Sequence, residues 1–547
     1  MARSPGWARA SLALAGPLIG IFAMGVDASA VNVALPGIQK DLDATTAGLQ
    51  WVIAAYMASI AASVVAISRF GDILGRRRIF AWGLLVFGAS SLACGLAPGI
   101  EVLVAGRIVQ GLGGGAVYAL SLAVITGSRP QSEVGRGVAA WTMAAGLAMS
   151  VAPLLGGALV TAFDWRAVFL VNVPVVVLAL VLTLALLPET RDEEASRRID
   201  LRGALVLTGG LALLMIGIIQ AGQWGWGSPA ILGLIAAGLA GLALFVVVER
   251  RSAEPLIDLR LFFGNLRFVA ANTLAIPAYG TIYAVLFLVP LFVQNIQGDS
   301  ALVAGLHILP FPVLFFLLSR PVGRMVGRTG PLPPMVIGSA LMTASVLLLS
   351  SLQPDSGEAL LAPSFDLIGA GQAFSLIGIS AAVLGAVPPG KAGAASGIRT
   401  TVSYAGGALW VALAGAVLTV VERSNLSDAT AELGRRLTTG ELRDVDGLLA
   451  GSDSAQAAVA QLSPLDADAV HAAAADAFVD GMSWALRLCA IALAVVTVLC
   501  AVLYRRGARR DEQAGAAPPP REPSPLHPHP PAWATLRRRT VTAEEAN

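Results

Sequence analysis

Long apolar runs alternate with short polar stretches along almost the whole chain. A helix rises about 1.5 Å per residue, so about 20 apolar residues cross the hydrocarbon core of a bilayer. Runs of that length lie near residues 12–36, 50–68, 79–97, 101–125, 138–161, 167–187, 201–221, 230–248, 267–293, 301–319, 333–351, 360–386, 399–421 and 482–504. Turn signals such as Pro98-Gly99, Gly227-Ser228-Pro229 and Pro388-Pro389-Gly390 separate neighbouring runs. The pattern predicts an all-α membrane protein of about fourteen spanning helices. Two stretches fall outside it. Residues 422–480, rich in Ala, Asp and Ser, read as an external loop. Residues 505–547, rich in Pro and Arg, read as a disordered tail.

Composition agrees. Hydrophobic residues make up 56% of the 547 and charged residues only 13%, against about 25% charged in a soluble domain. The net charge of +2 points to no nucleic-acid partner, but the placement of the charges is informative. With the N-terminus in the cytoplasm, the large majority of the 37 basic residues fall on the cytoplasmic side. Arg76-Arg77-Arg78, Arg197-Arg198, Arg250-Arg251, Arg320 with Arg324 and Arg328, and Arg505-Arg506 all lie there. An even number of helices returns the C-terminus to the same side. Residues 1–30 have basic residues, an apolar stretch and Ala28-Ser29-Ala30, as a signal peptide does. That apolar stretch is too long for a signal core, so it is expected to stay as the first helix. Lys40 and Lys391 are the only lysines among many Arg, Ala and Gly residues. This suggests a GC-rich bacterial genome and a bacterial plasma membrane.

Little in the sequence supports covalent or nucleotide chemistry. Cys94, Cys489 and Cys500 lie inside apolar runs with no Cys-x-x-Cys pair, so neither a disulfide framework nor a metal site is expected. Gly385 to Lys391 fits Gly-x-x-x-x-Gly-Lys, but Ala392 stands where a phosphate loop needs Ser or Thr. Pro388 and Pro389 also remove backbone donors from the cradle. ATP is therefore not the expected energy source, no cofactor is expected, and an ion gradient remains.

Two Gly- and Arg-rich turns, Ser68 to Arg78 and Arg320 to Gly330, occupy equivalent places in the two halves. Repeated halves are how many carriers place a central site between two rocking bundles. Four motifs then point to one family. They are Val26-Asp27-Ala28-Ser29-Ala30-Val31-Asn32-Val33-Ala34-Leu35-Pro36, the turn Arg69 to Arg78, Arg107-Ile108-Val109-Gln110-Gly111, and Gly146 to Gly157 ending Ala152-Pro153-Leu154-Leu155-Gly156-Gly157. Trp165-Arg166, Phe169, Asn172, Pro174 and the run Glu254 to Leu259 add to them. Over roughly residues 12–505 the chain resembles the major facilitator superfamily, in particular the fourteen-helix drug:proton antiporters of the EmrB/QacA type. It departs mildly at Val26, Ser29, Ser68, Phe70 and Ala152. The resemblance implies a six-helix bundle over 1–187, a linker with two extra helices over 188–260, and a second six-helix bundle over 261–504.

Asp27 is the only acid deep in the first half. A carboxylate in hydrocarbon is costly and usually faces a cavity or a partner. By helical rise it lies about 13 Å from the outer end of its helix, and Arg107 about 9 Å from that of its own. These depths allow pairing or communication through water. The resemblance implies that Asp27 carries the proton and Arg107 tunes it; a fixed brace is the alternative. It also makes Asp72, Gly75, Arg76, Arg324 and Arg328 a cytoplasmic gate, against a plain orientation signal. Gly146, Ala152, Pro153, Gly156 and Gly157 become a leak-proof contact with the second half, against ordinary small-residue packing. Asn32, Gln110, Trp141, Asn172, Tyr283 and His307 are candidate liners of the substrate cavity, and Asp366 is the nearest acid in the second half.

The expected function is a monomeric efflux antiporter in the lipid bilayer. It would exchange neutral or monovalent cationic, largely apolar small molecules for protons. An exporter dedicated to one metabolite or antibiotic, and a sensor or channel on a transporter fold, are the other readings.

Overall fold

The computed structural model describes residues 14–128, 131–191, 200–252, 264–356, 359–388, 391–462 and 467–513. Among these, fourteen helices are long and apolar enough to cross a membrane. We number them α1 (Ala15–Asp41), α2 (Thr46–Leu74), α3 (Arg76–Gly95), α4 (Ile100–Gly127) and α5 (Gln131–Ala162). Then come α6 (Arg166–Leu186), α7 (Leu201–Trp224), α8 (Pro229–Arg251), α9 (Leu266–Leu291) and α10 (Ala301–Thr329). The last four are α11 (Leu332–Leu349), α12 (Leu361–Gly385), α13 (Ala392–Glu432) and α14 (Ala467–Gln513). Several starts follow directly from sequence. The side chains of Thr45, Asp200, Asn265 and Ser300 accept hydrogen bonds from the first turns of α2, α7, α9 and α10. These caps satisfy backbone donors that no intrahelical carbonyl reaches.

Helices α1 to α6 pack into one bundle and α9 to α14 into a second, with the hairpin α7–α8 leaning on α2 and α13. Glycines set the closest approaches. A Cβ on Gly113 would lie 2.6 Å from the Phe87 backbone, and one on Gly338 2.4 Å from the Ser375 nitrogen. Between helices in lipid, such backbone proximity supplies the packing that water exclusion cannot. Helix pairs α2–α13, α5–α10 and α1–α9 join the bundles.

The predicted boundaries need four corrections. The turn expected at Ser68 to Arg78 is almost all helix: α2 continues to Leu74 and only Gly75 breaks it. Arg320, Arg324 and Arg328 likewise lie within α10, on one largely exposed stripe. Helix α13 starts at Ala392 and α14 at Ala467, both earlier than hydropathy suggests, because polar and small residues there still pack as helix. The tail expected to be disordered is helical through Gln513; its remainder, Arg197-Arg198 and the Glu254 to Leu259 run lie outside the described residues.

The stretch 433–462 is a small folded cap. Helices Thr439–Asp444 and Asp453–Ala460 bury Leu437, Leu442, Val445, Leu448, Val459 and Leu462 against the extended ends of α13 and α14. A reciprocal capping box between Thr438 and Glu441 opens the first of them. The cap is pinned to the α1–α2 turn: Ser452 and Ser454 donate to Asp43 at 2.6 and 3.2 Å, and Thr46 donates to Asp446. We call this end of the molecule the cap face and the opposite end, with Arg76 and Arg510, the basic face.

Candidate functional site

Asp27 stands on α1 with no solvent exposure, and every atom it can use is engaged. Its Oδ2 accepts from the Arg107 guanidinium at 2.7 Å. Its Oδ1 accepts from Gln110 Nε2 at 2.9 Å and from Asn172 Nδ2 at 3.0 Å. Arg107 also donates to the Val52 carbonyl at 3.0 Å and to Gln110 Oε1 at 2.8 Å, and sits 3.9 Å above the Tyr56 ring. Ser91 completes the cluster, receiving Gln110 and Asn172 and donating to the Phe169 carbonyl. One buried network thus ties α1, α2, α3, α4 and α6 together. Helical rise alone places Asp27 and Arg107 at similar depths; the fold closes them into direct contact.

A cavity of about 370 Å³ lies between the two bundles. Gly25, Ala28 and Ser29 of α1 form part of its wall, so Asp27 is one helix thickness away and faces into the bundle instead. Tyr118, Trp141, Tyr279, Tyr283, Phe311, Phe315 and Tyr404 supply an aromatic lining, with Gln372, Ser380, Arg399, Thr400 and Ser403 as polar members. Trp141 Nε1 donates to Ser121 at 2.8 Å, and Tyr118 meets both Trp141 and Tyr404 edge to face.

The cavity is sealed toward the cap face. Gln294 donates to the Val33 carbonyl at 2.9 Å and Asn295 to Gln39 at 3.3 Å. Here the α5 motif meets the second bundle. A Cβ on Gly157 would lie 2.5 Å from the Ala301 carbonyl oxygen, and one on Gly305 2.3 Å from that of Pro153. Gly156 instead packs on Ala30 of α1, Ala152 is buried, and Gly146 faces the cavity opposite Phe316. Toward the basic face, Val138, Met143 and Leu147 of α5 and Phe316 and Leu317 of α10 are exposed.

At the basic face, Arg76 pairs with Asp72 at 2.8 Å within the first bundle. Gly75 has φ +116, a conformation that L side chains rarely adopt, and its Cα faces the Glu189 carboxylate. Glu189 in turn accepts from the backbone amides of Arg77 and Arg78 at 3.0 and 3.2 Å, capping α3. Sequence reasoning missed Glu189, because its partners are more than a hundred residues away. Arg324 and Arg328 lie on α10, and the bonds of Asp72 and Arg76 run inside the first bundle.

Of the six expected cavity liners, Trp141 and Tyr283 are on the wall. Gln110 and Asn172 are not: both face Asp27 inside the bundle. Asn32 is also off the wall, buried in α1 with its amide nitrogen on the Ala28 and Ser29 carbonyls. His307 lies half-buried in the first turns of α10, outside the lining, and Asp366 is exposed on α12. The residue that sequence reasoning overlooked is Arg399. The predicted run begins at residue 399 and so puts Arg399 at the helix end; with α13 beginning at Ala392 it stands two turns inside.

Among the described residues, fourteen helices long and apolar enough to cross a membrane enclose a central cavity between two bundles, the architecture expected of a carrier. Its family follows from sequence: the Major Facilitator Superfamily model matches residues 18–200 and 190–411, and the chain belongs to that family. It is 37% identical over 401 residues to the multidrug resistance protein Stp of Mycobacterium tuberculosis, covering 73% of this chain and 74% of that one. It is 30% identical over 498 residues to the tetracenomycin C resistance and export protein of Streptomyces glaucescens, covering 91% of each. A solved bacterial homolog of the human lysosomal transporter Spinster, inward-facing and unoccupied, shares the fold with a TM-score of 0.61 at 15% identity. It covers 92% of this chain and 99% of that one.

Proposed function

We propose that this protein exports drug-like small molecules across the cell membrane by alternating access, in exchange for protons. The observation that carries the reading is the position of the Asp27 network. It lies directly behind the α1 segment that lines the cavity, and the same helix holds the cap-face seal through Val33. Proton binding at Asp27 would cancel its charge and release Arg107, and a buried guanidinium left without its partner is costly. In the form open at the cap face, where the proton arrives from outside, the five-helix cluster would then relax, α1 would shift, and the seal at Gln294 would close. Loss of the proton to the cytoplasm restores the pair and frees the cavity for the next cargo, so proton and cargo cross in opposite directions. Gln110 and Asn172 hold the carboxylate in place, Asp72, Arg76 and Glu189 fix the basic face of the first bundle, and the α5 glycines keep the sealed state tight.

The names of the relatives, multidrug resistance and antibiotic export, support drugs or antibiotics as the cargo class. The excess of arginines on the basic face supports placing that face, with both termini, in the cytoplasm. The structure then corresponds to a form open to the cytoplasm. The test is export in everted vesicles from a pump-deficient host, with and without a proton uncoupler, over a panel of antibiotics and dyes. Accumulation that needs the chain and collapses with the uncoupler is expected. Accumulation insensitive to the uncoupler would remove the proton. A panel in which only one compound moves would favour a dedicated exporter.

A further inference from the structure

Among the described residues, the cavity wall carries one formal charge. Its lining includes Arg399 and no Asp or Glu, and the guanidinium donates to the Tyr279 hydroxyl at 3.1 Å. Among the described residues no carboxylate pairs with it. A tyrosine hydroxyl is neutral, so the bond orients Arg399 without cancelling its charge. The contrast with Arg107 is sharp, since that buried arginine has Asp27 at 2.7 Å. Arg399 is held by helix α13 about 10 Å past its first residue, by helical rise. Around it stand Tyr118, Tyr279, Tyr283 and Tyr404, four of the chain's six tyrosines, together with Trp141.

Resting on the export reading above, we infer that this cavity selects planar aromatic acids, with Arg399 binding the carboxylate or ionised phenol of the cargo. A guanidinium presents five N–H donors in a planar fork that matches a carboxylate, and most are left for a ligand. The aromatic edges and faces receive a flat apolar scaffold. The amide of Gln372 and the hydroxyls of Ser380, Thr400 and Ser403 can hold its ring oxygens. A cationic cargo would face Arg399 with no acid on the wall to receive it. On this proposal neutral aromatics remain admissible and monovalent cations are disfavoured. Export of an anion against one entering proton also moves two charges in the same sense, so the membrane potential would drive it. A singly charged cation would exchange with a proton without net charge.

The test uses the purified full chain in lipid nanodiscs and three probes on one scaffold: anthracene carboxylate, its methyl ester and anthracenylmethylamine. Binding is read from the fluorescence anisotropy of the anthracene. Wild type should bind the carboxylate at least about tenfold tighter than the amine, the range for a charge-assisted hydrogen bond. In Arg399→Gln that preference should vanish, with the ester within about twofold of its wild-type affinity; Arg399→Lys should restore part of it. Wild type binding the amine as well as the carboxylate, or binding none of the three, would overturn the proposal. So would an unchanged carboxylate affinity in a folded Arg399→Gln. Should that variant not fold, the wild-type charge series and Arg399→Lys still decide. Intact binding preference with no transport in proteoliposomes would sink the export reading and leave the acid site standing.

Discussion

Replacing Asp27 by asparagine takes one negative charge from a fully buried site. Arg107, 1% exposed, would keep the Val52 carbonyl, Gln110 Oε1 and the Tyr56 face but lose its only carboxylate. The new amide nitrogen would also confront a donor in either orientation: Gln110 and Asn172 together at the Oδ1 position, or Arg107 at the Oδ2 position. Breaking one side of a buried ion pair costs about 3–5 kcal/mol. The remaining carbonyls and the ring place this case near the lower end, about 3 kcal/mol, or about two decades in an equilibrium constant. A clear drop in thermal stability in detergent is expected, with insertion retained. Gradient-driven export in everted vesicles should be lost. The double variant Asp27→Asn with Arg107→Gln separates a brace from a coupling site. It removes the stranded charge and should regain most of the stability, a coupling energy of about 3 kcal/mol, yet stay inactive. A fixed brace predicts that activity returns with stability. Wild-type, uncoupler-sensitive export by Asp27→Asn would refute the proton role outright.

Three further outcomes follow from other parts of the molecule. Gly157→Val should open the cap face, because its Cβ would meet the Ala301 carbonyl at 2.5 Å and overpacking costs about 1–3 kcal/mol. Thiol labelling from the cap side of a cysteine replacing Leu286, on the cavity wall, should rise, and unchanged labelling would contradict the seal. Glu189→Gln should lower stability by about 1 kcal/mol through the α3 cap, more than Asp72→Asn at about 0.3–0.5 kcal/mol in a partly exposed i,i+4 pair; a reversed order in thermal melts would misplace the gate. Burial of Asp446 under the cap raises its carboxyl above the usual range, with Arg423 opposing. Its contribution to cap docking is thus present in acid and lost as pH rises through that raised value. Asp43, lowered first by the Ser452 hydroxyl, works in the opposite sense: its contribution is present above the usual carboxylate range and lost on acidification. Hydrogen exchange over residues 439–462 against pH should show the loss with rising pH in wild type and a flatter profile in Asp446→Asn, which keeps an acceptor for Thr46. Identical profiles would remove Asp446 from the account.

Sequence alone determined the quantities that depend only on distance along the chain. Hydrocarbon thickness and helical rise make fourteen apolar runs into fourteen spans, and the same rise put Asp27 and Arg107 at matching depths. It also yielded the family, since the motifs at Asp27, Asp72, Arg107 and Pro153 are local strings. Tertiary structure decided what depends on rotation about a helix axis and on contacts far apart in sequence. Helix α1 is largely apolar all round, so nothing in its pattern says that Asp27 turns into the bundle, toward Gln110 of α4 and Asn172 of α6, while Gly25, Ala28 and Ser29 face the cavity. Arg399 lay hidden for a related reason. Small and polar residues from Ala392 onward conceal where α13 begins, and only packing against α2 and α9 makes them helix and carries the charge inward. The cap over residues 433–462 shows the same limit. Its short helices are too weak alone, and their apolar side chains find a core only once α13 and α14 extend past the membrane to meet them.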